Sequence, residues 1–253
     1  MNIFIRKSPG ILILMGTALL LMGAADAQIK SNGTCSLTTG VTGTRARSGA
    51  SGNTSASAPV PLSAYAEELA KILNFDRNVI VLVKQVTNEH IHRLIGFDED
   101  GYQIIAPGIS VTVPEDRTDS MLESLRRKLL PLHYMAFVVE MNAGLKTDKI
   151  GILKTSDQYD ILRIMHTDGD EYDITNQDVI DRLKEWQKIS SFDIVGADSD
   201  WVEIEFRVLP KDLKAFAEEV YAFCPDAVDQ GPGSVDGLIT DMKKTNRLFL
   251  WWD

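Results

Sequence analysis

The sequence predicts an α+β fold: an antiparallel or mixed sheet with helices on one face, arranged in the C-terminal half as a split βαβ (ferredoxin-like) unit. Three observations lead there. Residues 201–208, WVEIEFRV, alternate cleanly, so Val202, Ile204, Phe206 and Val208 share one side of a strand and Trp201, Glu203, Glu205 and Arg207 the other. Thr175 and Asp178 stand at capping-box spacing before a helical period through Ile180, Leu183 and Trp186. From residue 149 onward the predicted order is strand, helices, strand, strand, helices, strand, which is the order of a split βαβ unit.

The elements follow along the chain. Residues 1–27 carry the secretory pattern: Arg6 and Lys7, an apolar run ILILMGTALLLMGAA too short to span a bilayer, and Ala25-Asp26-Ala27 as a cleavage site. Residues 28–61 read as a flexible tether, because 21 of the 28 residues from Ser31 to Ala58 are Ser, Thr, Gly or Ala and cannot build a core. Residues 62–148 form an N-terminal α+β region. It opens on a helix capped by Ser63, with apolar positions Leu62, Tyr65, Ala66, Leu69, Ile72 and Leu73. Strands are expected over 79–86 and 109–113, a charged helix over 119–130, and strands over 134–141 and 149–154. Whether this region extends the C-terminal sheet or forms a smaller partner is open.

Residues 149–253 form the second α+β domain. A helix over 157–166 is expected to stop at Gly169, and FDIVG should pair with WVEIEFRV around a turn at Asp198-Ser199-Asp200. Pro210 marks the start of a helix running to Cys224; another spans 234–244, and RLFLWW closes as a strand.

Charge and cysteine content bound the function. With 26 basic against 36 acidic side chains the net charge is −10, and loss of Arg6, Lys7 and Asp26 would make it more acidic still. Such a balance repels phosphate, which argues against nucleic-acid partners. Export to the periplasm or extracellular space would permit a Cys35–Cys224 bridge, but a mobile tether holds no thiol beside a helix end. Helical phasing of Phe216, Ala217, Val220, Tyr221 and Cys224 points that thiol into the core. The negative end of the helix and Asp226 disfavour its thiolate. Pro225 then breaks the helix, and Gly231 and Gly233 permit a tight return.

The run FCPDAVDQGPGSV, with DILRIMHTDG and YDIT upstream and LFLWWD at the end, resembles the bacterial proteins grouped as domain of unknown function 4253. The resemblance covers about residues 149–253 and implies no catalytic residues. The matching positions are Cys224, Pro225, Asp226, Asp229, Gln230, Gly231, Trp251, Trp252 and Asp253.

Three readings of this acidic loop compete. In the first, Asp226, Asp229, Gln230, Trp251, Trp252 and Asp253 form a recognition surface for a protein partner. In the second, Asp226 and Asp229, joined by Asp198, Asp200 or Asp253, give hard oxygen ligands to Ca²⁺ or Mg²⁺ in a metal-assisted enzyme, although no calcium-loop spacing is present. In the third, the tryptophans are core and the aspartates cap helix ends. His90 and His92 would share a strand face, as a zinc pair does, though paired surface histidines are commoner. No hydrolase elbow, zinc-protease motif, phosphate loop or dinucleotide fingerprint occurs. The expectation is an exported, noncatalytic binding protein of the cell envelope, without cofactor or metal and with no membrane span after cleavage, its oligomeric state open. The metal-assisted enzyme is the alternative.

Overall fold

The structure is a computed structural model that describes residues 62–142 and 147–252. The signal-like segment, the tether with Cys35, and Asp253 lie outside the described residues. Among those described, eight α-helices and seven strands form one mixed sheet with helices on both faces. None of these helices is long and apolar enough to cross a membrane.

Two helices come first. In α1 (Ala64–Ile72) the Ser63 hydroxyl accepts the Ala66 N–H as an N-cap, and Ala66, Leu69 and Ala70 are buried while Tyr65 and Ile72 are exposed. Residues 79–86, expected as a strand, are instead helical in α2 (Arg77–Val86). The Asp76 carboxylate caps it by accepting the Asn78 N–H at 2.8 Å, and Val79, Ile80 and Val83 make a fully buried stripe at helical spacing. Packing thus overrides the strand preference of its β-branched residues.

The sheet begins as a meander. Strand β1 (Ile91–Phe97), raised in the sequence reading only through His90 and His92, pairs antiparallel with β2 (Gln103–Pro114). Helix α3 (Thr118–Leu129) leads to β3 (Met135–Glu140) and β4 (Thr147–Leu153). Strand β4 lies between β2 and β3, antiparallel to both.

The second half adds α4 (Tyr159–Met165), α5 (Asn176–Ile189), the hairpin β5 (Phe192–Ala197) and β6 (Trp201–Phe206), then α6 (Leu213–Phe223), α7 (Asp226–Asp229), α8 (Val235–Thr245) and β7 (Arg247–Trp251). The capping box at Thr175 and Asp178 forms as expected, as does the β5–β6 hairpin. Three boundaries differ. Helix α4 ends at His166, whose left-handed φ of 49° closes it before Gly169. Helix α6 starts beyond Pro210, where Asp212 accepts the Ala215 N–H. Val208 falls past the end of β6 and is exposed.

The α+β class and the mixed sheet stand, but the finer arrangement differs. The strand order is β1-β2-β4-β3-β5-β6-β7, with β3 parallel to β5 and every other neighbouring pair antiparallel. A ferredoxin-like unit would set β7 beside β4. Here β7 extends from β6 at the far edge, and β3 of the first half fills the place between β4 and β5.

Helices occupy both faces. Helices α4–α8 bury Phe137, Ile194, Ile204 and Leu250 on one side, whereas α1–α3 bury Ile109, Val111, Val138 and Ile150 on the other. The first half therefore extends the same sheet and covers its second face. Without β3 and β2, β4 loses both of its hydrogen-bonded neighbours. We predict that a fragment of residues 149–253 shows no cooperative urea transition, whereas residues 62–253 unfold in a single sigmoidal step by far-UV circular dichroism.

Candidate functional site

The C-terminal motif is divided between core and surface. Cys224, at the end of α6, is a fully buried thiol that donates to the Trp251 carbonyl at 3.0 Å, tying the helix end to the last strand. Burial pushes its pKa up to about 12, so the sulfur stays protonated at neutral pH. Pro225 lets α7 begin in a new direction. Asp226 is buried and accepts the Tyr172 hydroxyl at 2.8 Å; that hydrogen bond raises the Tyr172 phenol to about 12.

Asp229, one turn along α7, is exposed and takes its bond from the Tyr221 hydroxyl at 3.3 Å. Gln230 is exposed as well. The two aspartates therefore serve different tyrosines, one inside and one outside. Among the described residues no group of three or more His, Cys, Asp or Glu is placed to hold a metal ion.

The tryptophans also differ from a displayed pair. Trp252 is 4% exposed and meets Phe223 edge to face. Gly169 makes room for it, since a Cβ there would sit 2.8 Å from the indole. Its Nε1–H is buried with no hydrogen-bond partner among the described residues. Trp251 is half-buried and packs on Phe249, while its ring tip approaches Gly231. Trp252 thus belongs to the core, and Asp253 lies outside the described residues. Tyr221, read from its helical phase as core-facing, is 39% exposed.

A second site was not read from the sequence. The parallel strands β3 and β5 end side by side, and the chain leaves β3 toward β4 but leaves β5 toward β6. Beside these carboxyl ends lies a cleft of about 590 Å³ whose lining includes Asp198, Glu140, Lys149, Thr112, Ser110 and His92. Register explains the assembly. Thr112 pairs with Lys149 and Lys149 with Glu140, while His92 pairs with Ser110 in the adjacent row. The floor thus crosses four strands, roughly 15 Å at the usual strand spacing.

Charges in the cleft are unequally engaged. Glu140 is ion-paired with Lys149 and also accepts from the Asn142 amide at 2.7 Å, which holds its carboxyl below the usual range despite partial burial. Ser110 donates to the Arg93 carbonyl at 3.3 Å. Asp198 follows the last residue of β5, and one of its carboxylate oxygens accepts the Ser199 N–H at 2.9 Å. Its other oxygen has no hydrogen-bond partner among the described residues. Burial raises this carboxyl to about 7, with Asp200 and Glu140 adding repulsion. His92 is exposed on β1 at the cleft rim, and His90 lies just before the strand, also exposed.

The sequence did carry a signal for this cleft. In ISVTV the apolar Ile109, Val111 and Val113 alternate with Ser110 and Thr112, so one sheet face turns polar at mid-strand. Nothing local indicated that Asp198, distant in sequence, would complete it.

These features define an α+β domain with a mixed seven-stranded sheet and a polar cleft at its one parallel junction. Residues 149–253 match the family model described as Domain of unknown function (DUF4253). The match begins inside β4. No curated protein and no solved structure matches the chain.

Two outcomes are expected from this geometry. Cys224 in the folded protein resists iodoacetamide at neutral pH and reacts only once urea unfolds the chain, as read by peptide mass spectrometry. Rapid native labelling at that position would contradict the buried thiol. For Asp198 the folded state holds its proton to about 7, whereas an unfolded chain releases it near 3.9. Ionisation therefore works against the folded state, and this contribution lowers stability as pH rises between those values and stays lost above them. Asp198→Asn should remove that slope and be more stable than the parent at about pH 8 in urea unfolding.

Proposed function

We propose that the protein is an exported, noncatalytic binding protein of the bacterial cell envelope that engages a protein partner through the acidic surface beside its last strand. One observation supports this above others: within CPDAVDQG, Cys224, Asp226, Ala227 and Val228 are buried, while Asp229 and Gln230 face solvent next to the exposed Tyr221. The inner half sets the angle of the turn, and the outer half presents a carboxylate, an amide and a phenol to a partner. A basic partner suits the net charge of −10. Neutralisation of a toxin fits the same chemistry, because carboxylates mask a cationic active site.

The alternative, a metal-assisted enzyme at Asp226 and Asp229, requires two carboxylates that already serve separate tyrosines to turn toward one ion. Two measurements separate the readings. In pull-downs from envelope extract, the wild type should retain a protein that the triple variant Tyr221→Ala, Asp229→Ala, Gln230→Ala releases. Equal retention by both, or retention by neither, would end the binding reading. Calorimetric titration with Ca²⁺, Mg²⁺ and Zn²⁺ should be silent; a site lost in Asp226→Ala and Asp229→Ala would favour the enzyme instead.

A further inference from the structure

We propose that the cleft at the carboxyl ends of β3 and β5 is a site for an organic cation, with an ammonium or guanidinium group seated against the open oxygen of Asp198. This site is separate from the acidic surface at α7 and does not depend on the protein having a partner there.

Topology creates the space. Where neighbouring parallel strands send their chains to opposite sides, the connections part and leave a crevice beyond the strand ends, the usual place for ligands in open sheets. Here that crevice receives Glu140 from β3 and Asp198 from the residue after β5.

Charge selects the occupant. Lys149 is neutralised by Glu140, so neither dominates the field. Asp198 then sets the sign at the β3–β5 end of the cleft, with the Asp200 carboxylate adding to it, while Arg93 brings a positive charge to the β1 side. Asp168, distant in sequence, is brought to the β5–β6 turn by its N–H, which donates to the Ser199 carbonyl, and His166 lies 3.9 Å from its carboxylate. The ionised form of Asp198 would repel an anion, and a neutral ligand would do nothing to offset its charge. A cation offsets both the burial of the carboxylate and the repulsion from its neighbours.

The remaining lining limits the cation's size and character. A volume of about 590 Å³ is far larger than a bare metal ion needs, and the described residues include no cluster fit to ligate one. Thr112, Ser110 and His92 offer hydrogen-bonding groups across the floor, while Leu94, Val139 and Met165 offer apolar contact for a carbon chain. The chemistry is that of an aliphatic amine or guanidine. It can arrive as a free small molecule or as the side chain of a lysine or arginine.

Proton linkage makes the proposal measurable. Asp198 holds its proton close to neutral pH because it is buried, and a cation beside it favours the ionised form. Binding near pH 7 should therefore release up to about one proton to the buffer.

The experiment is isothermal titration of the purified protein in phosphate and in Tris, two buffers of unequal ionisation enthalpy. The probes are cadaverine, agmatine and the blocked tripeptide acetyl-Gly-Lys-Gly-amide. We expect saturable binding of at least one probe, heats that differ between buffers as proton release requires, and affinity at least about tenfold weaker in Asp198→Asn. Tighter binding of the free amines would identify a small-molecule site, and tighter binding of the tripeptide a site for a partner's side chain. Urea unfolding of Asp198→Asn confirms that the variant is folded. Saturable heat from none of the three, or binding that Asp198→Asn leaves unchanged, would overturn the proposal.

Discussion

Two antiparallel blocks of sheet, β1-β2-β4-β3 and β5-β6-β7, meet along one parallel joint, and the rest of the molecule is organised around it. The joint is brief: Val138 and Gly196 are its one registered pair. Gly196 suits the position because a Cβ would lie 2.8 Å from the Trp201 ring and 3.3 Å from the Val138 carbonyl oxygen. A bare Cα therefore lets the indole pack over β5 while β3 closes on its edge. Toward the start of the strands, the Ile194 N–H donates to the Gln158 side chain at 2.8 Å, which satisfies a buried backbone group without a ladder bond. A cavity of about 390 Å³ lies at that end, lined in part by Met135, Ala136, Phe192 and Ile194. The polar cleft lies at the opposite end. Both openings follow from one short parallel contact between two twisted blocks.

The legible parts of the fold were those with local chemistry. Thr175 and Asp178 carry a capping box in their side chains alone, and the alternation of Trp201 to Phe206 requires only that one sheet face be buried. The failures share a different cause. Residues 79–83 are apolar and mostly β-branched, and their identity as a helix depends on Val79, Ile80 and Val83 meeting α3 and the sheet. The number of helix-bearing faces was likewise hidden, because it depends on where the first half docks. At the candidate sites, the inward direction of Cys224 was readable from helical phase. The division between Asp226 and Asp229 was not, since it rests on Tyr172 and Tyr221 arriving from other elements.

The C-terminal motif illustrates how one short segment meets two demands. Phe223 and Trp252 pack edge to face, the Cys224 thiol bonds the Trp251 carbonyl, and the Trp252 N–H bonds the Asp200 carbonyl at 3.0 Å. Together these contacts fasten the chain end to the β5–β6 turn and to the end of α6. The orphaned indole N–H of Trp252 is an unfavourable feature within that arrangement. It is tolerated because the ring supplies a large apolar area in a place where Gly169 leaves room for little else.

The position of β3 also bears on how the polypeptide comes off the ribosome. Its outer edge has no mate until α4 and α5 have been made and β5 follows them. A partly synthesised chain therefore presents Met135 to Glu140 as an apolar unpaired edge, the kind that recruits strands from neighbouring molecules. Holdase chaperones, which grip such edges on emerging chains, would find a target here.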